Sequence, residues 1–175
     1  MASTRTSTYS PSDVSVVISQ SSSGLVHVVG GYADDSHINV ERDSETFEHH
    51  TGVDNVATRI YKANTSGKIT LSLSQGSASN DILSGIYRND SESRNSSGLF
   101  SITVKDGSGR SVAFAQEAYI GVVPNSQYGN SLNNRDWVIH ATRMTDYIGG
   151  NSLISPEDVN AIEKLGSTVA AEWRA

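Results

Sequence analysis

Residues 68–75, KITLSLSQ, alternate strictly between apolar and polar side chains. Ile69, Leu71 and Leu73 fall on one side, and Lys68, Thr70, Ser72 and Ser74 on the other. An extended chain has a two-residue repeat and sorts these residues onto two faces; a helix does not. The segment is therefore a strand buried on one side and wet on the other. The same pattern recurs along the chain. In residues 37–43, Ile38 and Val40 oppose His37, Asn39, Glu41 and Asp43. In residues 135–144, Trp137, Ile139 and Ala141 share a face. Residues 13–19 (DVSVVIS) and 25–29 (LVHVV) are β-branched runs separated by QSSSG, which reads as a hairpin with a glycine-containing turn. A strand over 56–62 follows a polar loop over 44–55. A second hairpin turns at Asp106-Gly107-Ser108-Gly109, with a further strand near 118–123.

Two segments change period. In SASNDILSGIYRND, Ile82, Leu83, Ile86 and Tyr87 lie on one helical stripe, with Ser79 as N-cap and Asp81 in the first turn. This predicts a short helix covering one end of the sheet, followed by a flexible loop, SESRNSSG. Beyond Gly149-Gly150, Ser155 as N-cap, Pro156 at N1 and Glu157 and Asp158 in the first turn start a second helix. It is expected over 155–173, with Val159, Ile162, Leu165 and Val169 as its stripe and Gly166 as a weak point. Trp173, one turn beyond Val169, anchors that helix on its own domain or on another subunit.

Strand–helix–strand alternation is missing, so a parallel sheet is not expected. The fold class is mainly β: an antiparallel sandwich or barrel with one short flanking helix and a C-terminal helix. The 175 residues suit one core. Residues 1–12 read as a mobile arm, 13–148 as the β domain and 149–175 as a C-terminal helical extension. With no cysteine, a disulfide framework or thiolate chemistry is excluded. Neither a signal peptide nor a membrane-length apolar run is evident, so a soluble chain made in the cytoplasm is expected.

The net charge of −6 is concentrated in one stretch. Residues 31–55 hold Asp34, Asp35, Glu41, Asp43, Glu45, Glu48 and Asp54 against Arg42 alone, while the remainder is neutral. Such a patch repels nucleic acid, and no basic stripe compensates it.

Catalytic chemistry finds no constellation. A Gly-x-Ser-x-Gly elbow is missing despite abundant serine. His49 and His50 are adjacent, not spaced to share an ion from a helix. Asp43, Glu45, Glu48 and Asp54 are hard oxygen donors in one loop and suit calcium, but lack the order of an EF-hand. GSGRS at 107–111 sits at a hairpin tip and lacks the Gly-Lys-Ser/Thr of a phosphate loop. Glu41 and Asp43 lie about 7 Å apart along a strand, a separation that glycosidases use, yet without an aromatic platform for a sugar nearby. A calcium- or carbohydrate-binding β-sandwich module is thus the main alternative to a structural role. The strand faces bearing Asn39, Glu41, Asp43, Thr70, Ser72, Ser74 and Thr103 form a wide polar surface without aromatics.

Taken in order, GYADDSHINVERDSETF, TLSLSQGSASNDILS and VKDGSGRS, within a stretch from Tyr9 to Met144, resemble the tail tube protein family of contractile-tailed bacteriophages. The resemblance implies a non-enzymatic β-sandwich or barrel subunit. It implies homohexameric rings stacked into a tube inside a contractile sheath, in a virion tail that also carries baseplate and tail terminator proteins, with genome DNA passing through at infection. On that footing Asn39, Glu41, Asp43, Thr70, Ser72 and Ser74 are expected to line the channel. Glu45, Glu48 and Asp54 are expected in a loop reaching the next ring, and Arg59, Lys62 and Lys68 in pairs with acids of an adjacent subunit. Cofactors, metals and a membrane are not expected.

Overall fold

The computed structural model describes residues 6–34 and 37–175. Asp35, one of the seven clustered acids, lies outside the described residues, as do residues 1–5 of the expected arm. Among the described residues, ten strands and two α-helices follow in chain order: β1 (Val14–Gln20), β2 (Leu25–Val28), β3 (Ile38–Arg42), β4 (Phe47–Thr51), β5 (Ala57–Tyr61), β6 (Gly67–Ser74), α1 (Ser79–Ser93), β7 (Phe100–Asp106), β8 (Val112–Ile120), β9 (Asn134–Ala141), β10 (Met144–Tyr147) and α2 (Pro156–Lys164).

All strand pairs are antiparallel, in the order β2-β1-β7-β8-β9-β6-β3, with β10 also on β8. The chain after β2 joins the two ends of this order. Val29 N–H still donates to Val16 O of β1, whereas Tyr32 bridges Leu73 of β6 and Ala33 N–H donates to Ser72 O. The sheet thereby curls into a barrel-like sandwich. The inward residues of each strand meet inside it: Val16 and Ile18, Ile69, Leu71 and Leu73, Phe100 and Ile102, Trp137 and Ile139, with Leu83 and Ile86 of α1. Each fully buried side chain of this size contributes roughly 1.5–3 kcal/mol, so the alternating strands supply most of the driving force.

One irregularity in β8 organises the corner. Ile102 pairs with Ala115, but Phe100 pairs with Ala118, so β8 carries an extra residue at Gln116-Glu117. The bulge moves the buried set from Ala113 and Ala115 to Ala118 and Ile120. Before it β8 pairs with β10; after it, with β9. The single strand expected over 135–144 is accordingly broken at Thr142-Arg143, where Thr142 N–H and Oγ1 both bond Glu117 O.

Other expectations shift for local reasons. The expected strand near 118–123 is the end of β8, which starts earlier at Val112. Ser79 is the first residue of α1, not its N-cap. Its hydroxyl accepts from Gly30 N–H and bonds His27 Nε2, while Ser77 Oγ accepts from Ser79 N–H. Helix α1 runs through Ser91–Ser93 and stops where Arg94 adopts a left-handed conformation. Helix α2 ends before Gly166, whose φ of +84° turns the chain out of the helix, and a separate short 3-10 turn carries Trp173. Ser155 caps α2 as expected, accepting from Asp158 N–H.

Residues 154–173 build a second small core from Ile154, Val159 and Val169, with Ile162 and Trp173 against it. It docks on the β7–β8 turn. The Arg110 guanidinium lies 4.8 Å over the Trp173 ring and donates to Ser152 O, and Ser111 Oγ donates to Gly149 O. Trp173 thus anchors within its own chain. Thr8 and Ser10 touch the same region through Asn151 and Ser108.

Candidate functional site

Strands β3, β6 and β9 present one continuous outward face. Asn39 stands opposite Thr70, Ser72 opposite Asp136 and Ser74 opposite Asn134. Outward positions on β3 are exposed and those on β6 half-buried. Asn39 Nδ2 donates to Glu41 Oε1 at 2.6 Å, and Ser72 Oγ donates to Asp136 Oδ1 at 2.6 Å. Asp43, one residue past β3, accepts from Ser66 Oγ at 2.9 Å and pairs with Lys68 at 3.7 Å. The six residues expected on a channel wall therefore share one surface. It carries Glu41, Asp43 and Asp136 against Lys68, so it is acidic. Asp136 was not singled out in the sequence, although its alternation with Trp137 already places it outward. The expectation of a face without aromatics is corrected at its β8 margin, where Tyr119 stacks on His140, centroids 5.3 Å apart.

The expected polar loop over 44–55 is a strand and a turn. β4 and β5 form a separate two-stranded hairpin, with Phe47 opposite Tyr61 and Thr51 opposite Ala57. It continues the β3–β6 pair beyond the barrel, joined by Lys62 N–H to Thr46 O and Asp43 N–H to Ser66 O. Gly67 sits at the junction, where a Cβ would stand 2.4 Å from Glu41 O, so only glycine lets the two strands approach there.

Every residue of β4 and β5 is exposed. An isolated hairpin is marginal in water, and this one is held by surface pairs. Phe47 and Tyr61 rings lie 5.7 Å apart, Arg59 covers Phe47 at 4.2 Å, and Lys62 pairs with Glu48 at 2.6 Å. The hydrogen bond that Lys62 donates to Glu48, then the charge of that carboxylate, raise the Lys62 pKa above its ordinary value. Thus Glu48 lies on β4, Asp54 at the tip and Glu45 at the base, while Lys62 and Lys68 have acids of their own chain and Arg59 a ring. The tip is a tight turn: Asn55 N–H donates to Gly52 O and Asn55 has φ 60°. It pushes Val53 fully into solvent, with Val56, Ile60 and Tyr61 also exposed.

Among the described residues, no three His, Asp or Glu side chains converge as a metal site, because the hairpin strings its acids along its length. Nor is any helix among them long and apolar enough to cross a membrane.

Known proteins share this architecture. Residues 6–149 match the family model of the bacteriophage PhiTE tail tube protein. Structural protein ORF10 of Pseudomonas phage KPP10 is 41% identical over 169 residues, covering 97% of this chain and 98% of that one. The tube-terminating cap of the anti-feeding prophage superposes with a TM-score of 0.52 at 14% identity, over 84% of this chain and 99% of that one. A chain of the extended sheath–tube complex of the PVC extracellular contractile injection system gives a TM-score of 0.52 at 12% identity, over 80% and 91%. These two likenesses establish a shared fold. The second small core lies beyond the family match. The chain belongs to the PhiTE-type phage tail tube protein family, a structural and non-enzymatic family.

Proposed function

We propose that six copies of this chain close into a ring and that rings stack into the inner tube of a contractile tail, through which genome DNA leaves the virion. One observation carries the reading. A hairpin whose two strands are exposed along their whole length, tipped by unsheltered valines, projects from an otherwise well-packed barrel. Contiguous apolar exposure of this kind marks an interaction surface, and a head-to-tail contact between identical copies generates rings or stacks.

The acidic face of β3, β6 and β9 is assigned to the bore. Duplex DNA is a dense polyanion held by Lys and Arg, and a wall of carboxylates and hydroxyls lets it slide without adhering. The hairpin with Glu45, Glu48 and Asp54 reaches the next ring. Arg59, Lys62 and Lys68 pair with acids of the adjoining copy in addition to their partners within the chain. The outer surface meets the sheath, and the tube ends meet the terminator and baseplate; the structural neighbours come from a sheath–tube complex and a terminating cap, which supports this setting. Negative-stain microscopy of concentrated protein tests the reading: six-fold rings or tubes are expected, and monomers at every concentration contradict it.

A further inference from the structure

Arg135 is 8% exposed and sits on the core side of β9, at the end of the barrel away from the β4–β5 hairpin. Among the described residues, no carboxylate pairs with it. Its neighbour Asp136 faces the other side and is taken by Ser72. Arg135 Nη1 and Nη2 reach only Gln127 O, at 3.4 and 3.5 Å, and that oxygen already accepts from Asn133 Nδ2 at 3.1 Å. Three donors crowd an acceptor with two lone pairs, while the guanidinium offers five N–H groups. Tyr128, 80% exposed, covers it from 5.3 Å. A buried cation held by one shared neutral carbonyl is short of a counter-charge.

The same guanidinium lines an open cleft of about 360 Å³. Val123, Pro124 and Tyr128 form its apolar side and Ser126 part of its rim. Asn80, also in the cleft, is already engaged, accepting from Trp137 Nε1 and donating to Ser74 O, both at 2.9 Å. The cleft thus calls for a ligand with one carboxylate beside a small apolar group.

We propose that this cleft receives the hairpin tip of a second copy, with Asp54 on Arg135 and Val53 against Val123, Pro124 and Tyr128. The proposal rests on the tube reading above and names the acceptor that stacking needs. Topology favours it. The hairpin leaves the barrel where Arg42 pairs with Gly67, and the cleft lies at the opposite end of β6, where Leu73 pairs with Arg135 and Ser74 with Asn134. Copies stacked by translation bring one end of a subunit against the other end of the next. The turn presents Val53 and Asp54 side by side, and among the described residues Asp54 Oδ1 engages only Val56 N–H, at 3.3 Å. Charge and apolar surface therefore match across the contact.

The chain has no cysteine, so engineered thiols report without background. Protein carrying Val53→Cys with Ser126→Cys, which keeps Asp54, assembled and treated with a short bis-maleimide, is expected to run as a ladder beyond dimer, whereas each single variant stops at dimer. Asp54→Arg alone is expected to raise the concentration needed for tubes at least tenfold without moving the monomer melting temperature. Tubes that form normally with Asp54→Arg, or tubes of the double variant that stay uncrosslinked, overturn the cleft proposal alone. Wild-type protein that never assembles overturns the tube reading and the cleft with it. Dimer-only crosslinking with unchanged assembly of Asp54→Arg shows adventitious proximity and also counts against the cleft.

Discussion

Ser72 Oγ donates to Asp136 Oδ1 across the β6–β9 ladder at 2.6 Å. The bond holds a carboxylate upright on a face already carrying Glu41 and Asp43, and ties together two strands whose inner faces form the core. The wall chemistry and the fold thus share the same residues, with opposite parity.

If that face repels DNA, inverting its charge creates adhesion. Glu41→Lys with Asp136→Lys is expected to assemble as wild type, since both residues are exposed. Such tubes should retain DNA at about 50 mM salt and release it by about 200 mM, as counterion release requires. In a virion the same pair should slow genome ejection. A gel-shift series across salt reads the first effect; equal DNA retention by wild-type tubes contradicts the repulsive wall.

A buried hydroxyl offers a pH test of the fold. Tyr32 Oη has no hydrogen-bond partner among the described residues, and burial raises its pKa from 10.0 to about 12, the nearby backbone of Val16 offsetting only part of this. The folded state therefore binds this proton more tightly than the unfolded state. Its contribution is complete below pH 10 and is lost as pH rises towards 12. Urea midpoints between pH 8 and 11.5 should fall more steeply for wild type than for Tyr32→Phe. At neutral pH the substitution should be neutral or stabilising, because it removes an unsatisfied polar group.

Stability and assembly separate along the chain. Leu71→Ala opens a cavity in the core and should cost about 2–5 kcal/mol in chemical unfolding. Val53→Ser with Val56→Ser lies on the exposed tip and should change monomer stability by less than about 0.5 kcal/mol, yet weaken assembly. Unfolding curves and light scattering on the same samples check both halves.

The C-terminal core gives a second separation. Ser155→Ala removes the cap of α2 and should cost about 1 kcal/mol locally. Hydrogen exchange should accelerate over 154–173 while β6 stays protected. Removing residues 150–175 should leave the barrel folded, since its core contains none of them.

How much of this was legible in the sequence follows from where burial imprints a pattern. β6 and β9 face a core on one side and water on the other, so their alternation read directly. β4 is exposed on both faces, and Phe47-Glu48-His49-His50-Thr51 carries no alternation; it read as loop. In β8 the bulge at Gln116-Glu117 reverses parity midway, so the second arm of the hairpin and the strand near 118–123 read as two strands instead of one. Gly166 was seen as a weakness in a long helix, whereas its positive φ ends it. Arg135 carries no signal in the sequence, because a cation at the start of a strand ordinarily reaches solvent. Only the three-dimensional shortage of acceptors around it shows otherwise.

The central claim is that the polar face of β3, β6 and β9 encloses the bore. A cryo-EM map of tubes assembled from this chain tests it most directly. The account predicts six-fold rings in which Asn39, Glu41, Thr70, Ser72 and Asp136 line the lumen. A map with those side chains on the outer surface, against the sheath, or buried around an ion, contradicts it.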